Sequence, residues 1–140
     1  MKLHTLLSYL DEATRDGDLT DTSPVFAVVR NDAVAITSPE AWSAVSIVAV
    51  AGDAENRSVD LTADESDDAT DITVASLRKR VRALGKDAAD YRLYVGMASQ
   101  PQDASGETVD VPVVEAYGDE AGLGLMVWFE GYDAWSQAQE

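Results

Sequence analysis

The sequence predicts an α+β fold: two tandem helix–strand–strand–strand units with mostly antiparallel sheets. Three observations predict it: a pair of apolar stripes at helical spacing, a pair of strand–Gly-Asp–strand segments in matching order, and an acidic run between them. The boundaries read as residues 1–62 for the first unit, 63–71 for an acidic linker, 72–130 for the second unit and 131–140 for an aromatic C-terminal tail.

Leu3, Leu6, Leu10 and Ala13 advance by three, four and three residues, and Val74, Leu77, Val81 and Leu84 repeat those steps 71 positions later. Each set lines one side of a helix. Thr73 suits the N-cap of the second helix and Gly85 its end. Behind each helix, "PVFAVV" (24–29) and "YRLYVGM" (91–97) carry the β-branched and aromatic residues of strands. The segment 46–61 overlays 112–127 at a constant offset of 66, which pairs Val48 with Val114, Gly52 with Gly118, Asp53 with Asp119, Val59 with Leu125 and Leu61 with Val127. A short extra strand is expected at 33–36, "AVAI".

The stretch "LTADESDDATD" (61–71) holds five carboxylates and no cation. A calcium loop of the EF-hand kind needs Gly at its sixth position and Glu at its twelfth. Neither stands there, so the stretch reads as a solvated connector.

The second half, in "ITVASLRKRVRALGKDAADYRLYVG" and "VDVPVVEAYGDEAGLGLMVWF", resembles small uncharacterised helix-plus-β-meander proteins of tailed phages and actinobacterial mobile elements; "SPVFAVV" in the first half matches more loosely. The resemblance implies a fold and a mobile-element origin. It implies no catalytic residues.

The charge is extreme: 26 Asp and Glu against 10 Lys and Arg, a net charge of −16. Such a field repels nucleic acid and anionic lipid and attracts basic surfaces. Direct nucleic-acid binding and membrane binding are therefore not expected. No apolar run approaches a membrane span and no secretory leader is evident, which predicts a cytoplasmic protein. The chain has no Cys and one His, His4, off the apolar stripe, so neither a thiolate metal site nor a Ser–His–Asp triad is expected. Nor is a Gly-rich phosphate loop present. The sequence predicts no enzyme, no cofactor and no resident metal, with a carboxylate-based hydrolase or metal binder kept open as a third reading.

Two readings of the acidity stay open. In one, the protein is a non-enzymatic inhibitor that blocks a nucleic-acid-binding host defence complex, anti-CRISPR-like, by imitating a polyanion. In the other, it is an acidic accessory or immunity-type binding protein of a halophilic or actinobacterial host, its charge serving solubility. For the first reading the candidate acidic face is Asp11, Glu12, Asp53, Glu55 and Asp60, placed on the first half because residues 1–70 carry −10 and residues 71–140 carry −6. The partner is then a basic protein surface. Arg78, Lys79, Arg80, Arg82 and Lys86 form a basic helix face, read either as solvated and offset by the connector acids or as a phosphate-contacting surface. Trp128, Tyr132 and Trp135 either cap the sheet or anchor a partner or a second copy.

Overall fold

Leu3, Leu6 and Leu10 are almost wholly buried along one side of α1 (Leu3–Asp16), and Val74, Leu77 and Val81 along α2 (Val74–Arg82). Each large aliphatic side chain so buried contributes about 1.5–3 kcal/mol. Helix α1 stops at Gly17, whose φ of +85° directs the amides of Gly17, Asp18 and Leu19 back to the last turn. Helix α2 starts at Thr73, whose hydroxyl accepts the Ser76 amide at 3.2 Å. The structure, a computed structural model, describes residues 1–31, 33–66, 70–97 and 110–138.

The strands are β1 (Val25–Arg30), β2 (Trp42–Asp53), β3 (Ser58–Asp64), β4 (Arg92–Met97), β5 (Asp110–Asp119) and β6 (Gly122–Val127), and α3 (Tyr132–Ala138) follows them. The α+β class is as expected, but the strands do not form two separate, mostly antiparallel sheets. All six close into one mixed barrel, antiparallel at β1–β2, β2–β3, β4–β5 and β5–β6 and parallel at β3–β4 and β1–β6. The parallel seams explain the correction: each joins a strand of one half to a strand of the other. They close the ring of strands, with each of the six paired to two neighbours.

The halves are also interlaced at their helices. The Leu3 amide donates to Tyr91 and the Leu93 amide to Met1, so the chain entering α1 is tied to the start of β4. In return, the Val25 amide donates to Ile72 and the Val74 amide to Ser23, tying the chain entering α2 to the start of β1. One apolar core unites both helix stripes with the barrel interior, including Val59, Leu61, Ala63, Leu93, Val95, Leu123 and Leu125. The interior is packed side chain, not a channel.

Residues 33–36 are turn, not strand. The Asn31 side chain accepts the Ala33 amide at 3.1 Å, and Arg30 Nη2 donates to the Val34 carbonyl at 3.0 Å, which folds the segment against the end of β1. In the expected connector, Asp64 is the last residue of β3, while Asp67 and Asp68 lie outside the described residues.

Candidate partner-binding surface

Strand alternation sends Val59, Leu61 and Ala63 into the barrel and Ser58, Asp60, Thr62 and Asp64 to its outer face. Directly paired residues share a face, so the outer row extends sideways. Asp53 stands opposite Ser58, Ala51 opposite Asp60 and Ser46 opposite Asp64. Across the parallel seam Tyr94 lies beside Asp60 and Gly96 beside Thr62, and on the far side Asp110 pairs with Gly96. Asp53, Asp60, Asp64 and Asp110 thus occupy one outer sheet face. Arg92, exposed beside Ser58, interrupts it with a cation.

The hairpin loop fixes the end of this row. Asp53 accepts the Asn56 amide at 3.1 Å and the Asn56 side chain at 2.7 Å, and these hydrogen bonds hold its carboxyl below the usual carboxylate range. Asp60 accepts the Ser58 hydroxyl at 3.0 Å. Asn56, Ser58, Asp60, Tyr94 and Asp110 line a shallow depression. Partial burial, and then the neighbouring Asp60, push the Asp110 carboxyl up.

Of the five carboxylates read as one acidic face, the structure brings Asp53 and Asp60 together, with Glu55 exposed in the adjoining loop. Asp11 and Glu12 are elsewhere, exposed on α1. Asp11 is engaged by Arg78, Nη1 to Oδ1 2.6 Å, and lines a cleft between α1 and α2 with Arg15, Lys79 and Arg82. Its charge is offset by the Arg78 ion pair, and it stands on α1 rather than on the outer sheet face. Asp64 and Asp110 belong to the sheet face instead. Asp64 was hidden by its place in an acidic run; Asp110 follows from alternation once β5 is paired to β4.

The aromatic residues divide in a similar way. Trp135 packs 5.3 Å from the Trp42 ring and 5.9 Å from Phe129, and Tyr132 sits edge-on to Phe129 at 5.6 Å. The Tyr132 hydroxyl donates to Glu115 Oε1 at 2.6 Å. Burial, and then that hydrogen bond, push the phenol up. With Val28 and Met126, these rings form a second small core on the outside of the barrel. Tyr132 and Trp135 therefore cap the sheet, while Trp128 is 46% exposed and stands outside the cluster. Trp42 was missed because it lies 93 residues before Trp135 in the chain.

His4 is exposed, its Nε2 3.9 Å from Asp90. Among the described residues no group of three His, Asp or Glu is arranged to hold a metal ion. Among the described residues, too, no helix is long and apolar enough to cross a membrane. Comparison with protein-family models, with curated proteins and with solved structures gave no match.

Proposed function

We propose that the protein is a non-enzymatic binding protein that presents the outer face of β2–β5 to a basic protein surface. The single observation that carries this reading is the gathering of Asp53, Asp60, Asp64 and Asp110 on one outer sheet face, at positions set by the barrel's ladder. Carboxylates held on a rigid sheet meet a cationic partner without the ordering cost of a flexible tail. A partner that otherwise binds nucleic acid, such as a host defence complex, carries the rows of Lys and Arg such a face fits. The resemblance of the second half to phage and mobile-element proteins supports that setting.

The test is capture from a bacterial lysate on immobilised protein, comparing the native chain with Asp53→Lys/Glu55→Lys/Asp60→Lys. Basic nucleic-acid-binding proteins should be retained by the native chain alone and released by rising salt and by duplex DNA. Equal capture by both proteins, or retention unaffected by salt and DNA, overturns the reading.

A second reading has its own observation. Exposed carboxylates also stand far from this face in the sequence and on other elements, at Asp16, Asp18, Asp87, Glu120, Glu130 and Asp133, as expected if the acidity serves solubility in salt. A protein adapted in that way unfolds at low ionic strength, where carboxylate repulsion is unscreened. A partner-binding face on an ordinary barrel leaves the fold intact there.

We also infer that the halves are copies of one helix–strand–strand–strand unit. Matching irregularities support it: the β2–β3 ladder shifts at Val48 and the β5–β6 ladder at Val114, and Gly52 and Gly118 each receive a leucine from the other half.

A further inference from the structure

A second concavity of the described residues lies away from the acidic face. It is an open cleft of about 610 Å³ between α1 and α2, within the range of roughly 300–1,000 Å³ typical of small-molecule sites. Arg15, Arg78, Lys79 and Arg82 line it, with Asp11, Asp21, Thr14 and Ala75. Four cations against two carboxylates make it locally positive in a chain whose net charge is −16.

Its central guanidinium is fixed in place. The Arg78 side chain is only 14% exposed, held by Asp11 at 2.6 Å and by the Thr14 hydroxyl at 3.1 Å. Thr14 is itself oriented by its 2.6 Å bond to the Leu10 carbonyl. The fields of Arg82 and Arg15 also reach Asp11. Among the described residues, Lys79 and Arg82 form no ion pair. Of the connector acids, Asp64 and Glu65 line a separate depression with Ser43 and Ser46.

We propose that this cleft binds a compact phosphate-type oxyanion, with Arg78 as its preorganised floor and Arg15, Lys79 and Arg82 as its cationic walls. Guanidinium groups match the geometry of phosphate oxygens and do not lose their charge. Compactness follows from electrostatics. Within a Debye length of about 8 Å a small anion meets the local cations, whereas a nucleic-acid strand leaving the cleft runs over carboxylate surface.

The test is titration of the full chain with inorganic pyrophosphate, followed by amide NMR and calorimetry, beside a single-stranded oligonucleotide. Saturable binding should shift the amides of Thr14, Arg15 and residues 75–82 and leave those of Asp53 and Asp60 unmoved. The double variant Arg15→Gln/Arg82→Gln, at two exposed positions, should bind at least tenfold more weakly with an unchanged circular dichroism spectrum. If that variant loses its fold, Lys79→Gln alone should weaken binding severalfold. Absence of saturation, shifts outside the cleft, unchanged affinity in the folded variant, or tighter binding of the oligonucleotide overturns the proposal.

Discussion

Leu19 fills the space in which Gly118 would carry a side chain: a Cβ built there lies 2.6 Å from Leu19 Cγ. Leu84 stands over Gly52 in the same way, with its Cδ2 at 2.5 Å, so each half's helix-end leucine rests on the other half's hairpin glycine. The two sites differ in how far they can give. Leu19 is 2% exposed and is met at its branch point, whereas half-buried Leu84 is met at the tip. Gly118→Ala should therefore destabilise by about 1–3 kcal/mol and Gly52→Ala by less. Urea midpoints of the two variants check the order; equal losses would contradict it.

The Gly118 amide also donates to the Tyr9 hydroxyl. Tyr9→Phe removes the acceptor and strands a half-buried donor, at a cost of about 1–3 kcal/mol. Faster hydrogen exchange of the Gly118 amide in the variant is the specific sign.

Asp11 is held below the ordinary carboxylate value first by its hydrogen bond to Arg78, against the opposing effect of desolvation, with further lowering by Arg78, Arg82 and Arg15. A folded-state pKa below the unfolded value adds stability that is present above the unfolded value and lost as pH falls through the folded one. Exposure keeps the effect small. In Arg78→Gln, the Asp11 carboxyl titration followed by NMR should move up towards the ordinary value, and Asp11→Asn should flatten the acid limb of the stability profile.

Asp110 has the opposite sign. Its pKa is raised, chiefly by burial and then by Asp60, so its contribution is fully present below the unfolded value and is lost as pH rises through the folded one. Asp110→Asn should raise the melting temperature slightly at neutral pH relative to the native chain, and the gain should vanish in acid. Asp60→Asn should lower the Asp110 titration midpoint.

Trp135 and Trp128 separate a packing role from a surface one. Trp135→Ala should cost about 2–3 kcal/mol, because a large ring leaves the cluster with Trp42 and Phe129. Trp128→Ala, at a 46% exposed position, should stay within about 0.5 kcal/mol. A quenched or shifted Trp42 fluorescence in the first variant alone reports the same division.

Local chemistry made the helices and strands legible: the stripes of α1 and α2, the Thr73 cap and the alternation of β3 all stand in the sequence. Pairing was not legible, because a parallel seam joins strands with no turn between them to mark it. The constant offset also broke at the hairpins. Asp53 pairs with Ser58 but Asp119 with Gly122, so loops of unequal length place Val59 in the position of Leu123, not Leu125. On the surface, alternation put Asp53 and Asp60 on one face. Nothing near Asp11 in the chain signalled that Arg78, 67 residues on, would claim it.

The seam between β1 and β6 has a temporal meaning. Val25 must wait for Leu123, its partner across that seam, and a ribosome adding about 5–20 residues per second takes several seconds to supply it. Until then the nascent first half exposes both a strand edge and the leucine that awaits Gly118. Barrel closure therefore cannot precede synthesis of β6, and a chain halted before β6 carries two adhesive margins.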